Sequence, residues 1–249
     1  MGKKIITLSL FPDLNLETQT DIAPQKSKMQ WQFKKSRNMG LEYCTDAFRC
    51  GKYGITKLSK YLGDLPNKFI TLQDIKKIGS PNIGVLGFSY DYVLEDLANH
   101  TEKYVPLLSN YKCVGEPDFS MKIIDSLGSV VSSTFRSHNI AYYLQKMGCP
   151  IIPTMKWSDE TSYEVCFDGY EKGGAVLVST MGVLKDERSH MYFSNGFKEM
   201  LKRISPDAVV LYGENKEWIN DLFPKQLCVH YIENERIQRM RNYGRKRSI

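Results

Sequence analysis

Lys112-Cys-Val-Gly-Glu-Pro-Asp-Phe-Ser120 is a short apolar run that ends in Glu116, Asp118 and Ser120 around Pro117. A buried strand that hands polar groups to the open end of a sheet reads this way. Apolar runs with polar tips recur four more times downstream, over residues 150–157, 174–182, 207–214 and 226–232. Their spacing of about 20 to 40 residues is that of repeated β-α units. One further run, residues 83–90, precedes them.

Helical patterns fill the intervals. Residues 92–100 follow the first run. Residues 132–148 carry a Ser/Thr start, apolar Phe135, Ile140, Tyr143, Leu144 and Met147 near helical spacing, and Gly148 as terminator. Residues 193–204 are amphipathic and stop at Ser205-Pro206, and residues 218–223 stop at Pro224. Strands alternating with helices, with few hairpin signals, predict an α/β class with a mainly parallel sheet. The expectation is about six to eight strands flanked by helices, as an incomplete or TIM-like barrel or an open doubly wound sheet. An eight-stranded barrel needs two strands from the first part of the chain, and residues 5–10 and 69–72 are the applicants.

Outward from this core, residues 1–40 are polar and aperiodic, with Pro12, Pro24 and Ser27, and read as a loosely ordered arm. Residues 41–235 form the predicted single α/β domain. It opens with an extended lead-in over 44–65 and one or two helical turns over 72–78, where Asp74 comes early and Lys76-Lys77 late. Residues 236–249 form a basic tail.

The chain has 249 residues, 42% hydrophobic and 25% charged, enough to bury one sizeable core. No apolar stretch is long enough for a membrane span, and the basic start Met1-Gly-Lys-Lys lacks the long apolar core of a secretory signal. A cytoplasmic protein without a membrane partner is the expectation. Six cysteines in a chain of this size read as free thiols, with Cys113, Cys149 and Cys228 acting as small buried hydrophobes. Cys44 and Cys50 are spaced too widely for a zinc knuckle and have no complementary pair, so no metal ligand is assigned. The formal net charge of +6 concentrates at the ends. Residues 25–37 mix Lys and Arg with Trp31 and Phe33, and the tail from Arg236 surrounds Tyr243 with arginines. Such segments can neutralise phosphates and stack on bases, making nucleic acid a candidate partner through the termini.

In parallel α/β folds ligands sit beyond the carboxyl ends of the strands. Those ends supply Ser89 and Asp91; Glu116, Asp118 and Ser120; Lys156, Trp157 and Asp159; Ser179 and Thr180; Tyr212 and Glu214. Asp118, approached through rigid Pro117, is the leading acid/base candidate, with Glu116 and His138 beside it. Arg136 is read as a phosphate contact, Trp157 and Tyr212 as flat faces for a ring, and Ser120, Ser179 and Glu214 as further substrate contacts. Arg136 and His138 lie near the expected start of the 132–148 helix, where backbone amides and a guanidinium together favour phosphate. Gly84 and Gly87 do not make a dinucleotide fingerprint, and no Walker loop, nucleophile elbow or zinc-protease helix is present, so no cofactor is assigned.

With these residues in view, the chain resembles a family of phages, plasmids and bacterial genomes known as domain of unknown function 4417. The resemblance rests on Pro117-Asp-Phe-Ser, Arg136-Ser-His-Asn-Ile-Ala-Tyr-Tyr-Leu-Gln, Pro150-Ile-Ile-Pro-Thr-Met-Lys-Trp-Ser, Cys166-Phe-Asp-Gly, Val178-Ser-Thr-Met-Gly and Pro206-Asp-Ala-Val-Val-Leu-Tyr-Gly. It covers about residues 45–232 and implies a mobile-element setting; it assigns no catalytic residue. Two functions follow as expectations. One is an enzyme acting on a nucleotide or nucleic acid through the carboxylate-lined mouth. The other is a non-catalytic accessory or host-directed inhibitor working through its basic ends.

Overall fold

The computed structural model describes residues 43–75 and 80–234. The arm at 1–40, the strand expected at 5–10, Lys76-Lys77 and the tail at 236–249 lie outside the described residues. All described residues belong to the unit spanning 37–249.

A two-stranded antiparallel hairpin comes first, β1 (Arg49–Cys50) and β2 (Ile55–Thr56), turned by Gly51 and Gly54 at positive φ. The extended lead-in is therefore a hairpin. Eight short strands then form two four-stranded sheets, parallel throughout. The first holds β3 (Lys68–Thr71), β4 (Ile83–Leu86), β5 (Cys113–Gly115) and β6 (Ile151–Ile152), side by side in chain order. The second holds β7 (Thr154–Met155), β8 (Ala175–Ser179), β9 (Ala208–Tyr212) and β10 (Cys228–Ile232), again in chain order. Pro153 separates β6 from β7. It has no N–H to give to a ladder, but its carbonyl accepts from Leu177 N at 2.8 Å, so the chain leaves one sheet and joins the next within three residues.

Strand order never reverses, so the doubly wound alternative, which requires a switch point, does not hold. The closed eight-stranded barrel does not form either, because β3 and β10 are edge strands with no ladder between them among the described residues.

The helices are α1 (Asp91–Asn99), α2 (Thr101–Leu108), α3 (Leu127–Lys146), α4 (Tyr163–Cys166), α5 (Glu187–Ile204) and α6 (Glu217–Asn220). The strands alternate cleanly between two faces, as a period of two requires. Val85, Val114 and Ile151 face the helices of the first half in one cluster, and Val176, Val178, Val209 and Leu211 face those of the second half in another. The intervening residues Leu86, Cys113, Ile152, Leu177, Val210 and Tyr212 meet in a third cluster shared by the two sheets. Burial on both faces is why these strands read as continuous apolar runs. Cys228, expected among them, is exposed on the edge strand β10.

Two helices begin earlier than their apolar pattern indicates. Ser126 caps α3, its Oγ accepting from Ser129 N, so Ser132–Thr134 are internal helical residues. Asp186 caps α5, accepting from Ser189 N at 2.8 Å, seven residues before the apolar stripe begins at Phe193. Among the described residues no helix is long and apolar enough to cross a membrane.

Candidate active site

The loops after β4, β5, β7 and β8 surround a cavity of about 520 Å³ lined by Asp118, Lys156, Trp157 and Ser179, with Phe88 and Ser120 among its other walls. Close backbone approach sets Asp118 in place. A Cβ on Gly87 would fall 1.9 Å from the Glu116 carbonyl oxygen, and one on Gly115 would fall 2.3 Å from Gly87 N. Only glycine lets the two strand ends run this near each other, and Asp118 N then donates to Gly87 O at 3.1 Å. Lys156 comes from the end of β7. Its Nζ donates to Phe119 O at 3.0 Å and Ser137 Oγ at 2.9 Å, and stands 3.4 Å from Asp118 Oδ1. The pair is partly buried, with side chains 12% and 25% exposed for Lys156 and Asp118. Burial pushes the Asp118 carboxyl up from its ordinary range, and the Lys156 charge and hydrogen bond oppose that rise.

Glu116, two residues earlier, is buried and does not line the cavity. Its Oε2 accepts from Tyr170 OH at 2.8 Å and from Thr154 N at 3.1 Å. Its Oε1 is buried without a hydrogen bond and faces His138 Nε2, equally unbonded, at 3.7 Å. The other imidazole nitrogen, Nδ1, lies 2.7 Å from Thr56 O. A carbonyl oxygen only accepts, so Nδ1 carries the hydrogen and Nε2 is the bare nitrogen. Burial lowers the His138 pKa to about 3 and pushes Glu116 up to about 7, the latter against the Lys156 charge and the Tyr170 and Thr154 hydrogen bonds. A proton on Glu116 Oε1 therefore faces a neutral acceptor.

The remaining candidates divide. Trp157 and Ser179 line the cavity. Trp157 is wedged against Phe193 and Phe167 at 5.5 and 5.7 Å between ring centroids, with Nε1 donating to Tyr192 O at 3.1 Å. Ser120 also lines it, but its N and Oγ both bond Asp91 Oδ1 rather than Asp118. Tyr212 sits one ring behind the wall, stacked on Phe88 with centroids 5.4 Å apart. Glu214 pairs with Lys216 outside the cavity.

Arg136 and His138 depart furthest from expectation. Because α3 starts at Leu127, both lie inside the helix rather than at its N-terminus, so the helix-end phosphate site does not form there. Arg136 makes a two-pronged ion pair with Glu95, and its guanidinium lies 4.2 Å above the Phe119 ring. It fastens α3 to α1 and is not among the cavity-lining residues. Sequence gave Lys156 the same weight as any strand-end residue; its only signal was a lone lysine directly after an apolar run.

Gly196 creates the slot for Trp157, since a Cβ there would fall 2.1 Å from Nε1. Alanine at an internal helix position ordinarily gains about 1 kcal/mol over glycine. In Gly196→Ala the clash is expected to outweigh that gain, lowering stability by about 1–2 kcal/mol. The indole is also expected to shift, as read by denaturant midpoint and by tryptophan emission compared with Trp157→Phe. A stability increase would show that the slot yields freely.

The model of the family described as Domain of unknown function (DUF4417) matches residues 48–231. Among relatives, the Gene 1 protein of Mycobacterium phage D29 is 29% identical over 126 residues, 51% of this chain and 47% of that protein. The Gene 1 protein of Mycobacterium phage L5 is 31% identical over 137 residues, 53% of this chain and 58% of that protein. The chain thus spans about half the length of these curated relatives. No solved structure matches it.

Proposed function

Since this chain belongs to the DUF4417 family, whose matched segment contains the whole mouth just described, we propose that the mouth is an active site for a nucleotide or a nucleic-acid component. The observation that carries this reading is the meeting of Asp118 and Lys156, from separate strand ends, at 3.4 Å on the wall of a cavity of nucleotide size. Partial burial alone does not mark an ion pair as functional, since Arg136–Glu95 is partly buried too and joins two helices. The Asp118–Lys156 pair is fixed by two further hydrogen bonds to the lysine and opens onto a space with aromatic, hydroxyl and cationic walls.

In this reading Asp118 is the general base. It takes a proton from a substrate O–H or N–H, or from an attacking water. Lys156 holds the carboxylate ionised in its partly buried setting and then stabilises negative charge as it develops on the substrate. Trp157 offers an apolar wall for a base or sugar, and Ser179 a hydroxyl.

The test is a screen of nucleoside phosphates and short oligonucleotides for chemical change by mass spectrometry, with wild type and Asp118→Asn side by side. Turnover by wild type and its loss in the variant support the proposal. No turnover of any member, with ligand binding unaffected by Asp118→Asn but weakened by removing residues 236–249, would replace it with a non-catalytic protein working through its tail.

A further inference from the structure

We infer that the substrate of this mouth is a single-stranded nucleic acid rather than a free nucleotide, with the flanking strand held on the rim. The inference rests on the reading of the cavity as a nucleotide site and adds what lies around it. Among the described residues, eleven large hydrophobic side chains are exposed. Six of them, Tyr90, Tyr92, Ile124, Leu127, Met181 and Met191, fall on the loops and first two helical turns that supply the mouth; Met181 lines it, and each of the others is within four residues in sequence of a lining residue. Clustering of this kind marks a contact surface, whereas isolated exposed apolar residues do not.

The chemistry of the cluster selects its occupant. Tyr90 and Tyr92, just after the cavity residue Ser89, are 67% and 70% exposed, with nearly parallel rings whose centroids lie 5.7 Å apart and whose planes differ by 11°. An exposed pair of parallel rings is a platform for an unpaired base, because every base has a π-face. In a duplex those faces are already covered.

The charges agree. Lys122 and Lys185 line the cavity, and neither ammonium has an ion-pair or hydrogen-bond partner among the described residues. Nearby carboxylates are already engaged: Asp91 by Ser120 from the loop after β5, Asp125 by Lys122 N and Asp186 by Ser189 N. The Ser89 hydroxyl, on the cavity wall, is buried without a partner. The centre of a protein interface is ordinarily depleted of charge. Here the centre carries lysines and hydroxyls beside its aromatic walls, and exposed tyrosines stand next to it, which suits a chain of phosphates carrying stacked bases.

The experiment uses the full chain and a fluorescein-labelled single strand of about twelve nucleotides, DNA and RNA in turn, followed by anisotropy across a salt series. Tyr90→Ala/Tyr92→Ala is expected to raise the Kd about tenfold or more, from the loss of one or two stacked bases. The same variant should leave mononucleotide affinity and the thermal midpoint unchanged, since both rings are exposed. Lys122→Ala/Lys185→Ala is expected to reduce the slope of log K against log salt by about 1.4.

An oligonucleotide bound no more tightly than a mononucleotide would overturn the inference and leave the cavity reading intact. Equal affinity of the tyrosine variant, equal affinity for duplex, or loss of a co-purifying protein with strand binding untouched would each overturn it as well. Failure to bind either nucleotide or strand would remove the cavity reading along with it.

Discussion

Asp118→Asn is expected to lower kcat by about 10²–10⁴-fold, with Kd for the substrate changed by less than about threefold, once a turned-over substrate is in hand. Asparagine keeps the shape of aspartate, and its side-chain oxygen still accepts from Lys156 Nζ, 3.4 Å from Asp118 Oδ1 in the present geometry. Basicity is what disappears. The lysine keeps its bonds to Phe119 O and Ser137 Oγ, so the site is not expected to collapse. Asp91→Asn serves as the comparison, because Asp91 also lies at the mouth but spends one oxygen on Ser120. It should retain kcat within about threefold, well short of the loss expected from removing a general base. A fall of less than tenfold for Asp118→Asn, or an equal fall for Asp91→Asn, would remove Asp118 from the role of base.

Glu116→Gln is expected to stabilise the protein increasingly from about pH 4.5 upward, most at and above neutral pH, and to leave it unchanged below that window. Glu116 titrates at about 7 in the folded chain against an ordinary value of 4.5, because burial disfavours its charged form. Between those values the folded state holds a proton that the unfolded state has released, so stability falls as pH rises, by about 1.4 kcal/mol per unit. His138 acts in the opposite sense. Its folded pKa of about 3 lies below the ordinary 6.5, so stability rises with pH across that interval. The two slopes nearly cancel between pH 4.5 and 6.5 in the native protein.

Glutamine removes only the first slope. Its oxygen can still accept from Tyr170 OH and Thr154 N, and its amide can donate toward His138 Nε2, as the protonated acid would. Relative to wild type, the variant should gain about 1.4 kcal/mol per pH unit from 4.5 upward, about 3 kcal/mol in all by pH 7–8. Denaturant midpoints at half-unit pH steps measure this directly. A difference between variant and wild type that stays constant over pH 4.5–8 would mean that Glu116 is ionised throughout. Lys156, Asp118 and Tyr170 face the same carboxyl, and their charge states enter both proteins alike.

A carboxyl that reduces stability at neutral pH is the kind of group that folds retain near sites of chemistry, and this one stands two residues from Asp118. Its hydrogen-bonded partner Tyr170 has its own pKa raised well above the ordinary value by burial. Neither residue is a wall of the cavity. The Lys156 charge acts on Glu116, Asp118 and His138 together, and the Asp118 charge acts on both Glu116 and Tyr170.

Amino-acid order alone carried the parallel α/β class, the order of strands from residue 83 onward and the placing of Asp118, Trp157 and Ser179 at strand ends. Each follows from short-range chemistry. A strand buried on both faces must be continuously apolar, and it must turn polar where it meets solvent. Tertiary structure decided the rest. Which residue begins a helix depended on Ser126 and Asp186, caps set in polar segments without periodicity. Whether Arg136 meets ligand or protein depended on Glu95, 41 residues away in the chain. The burial that makes His138 a neutral acceptor and Glu116 a proton holder comes from Thr56, Thr154 and Tyr170, contributed by three separate segments. Spacing along a chain sets which way a side chain points, but only the packed neighbours set its charge.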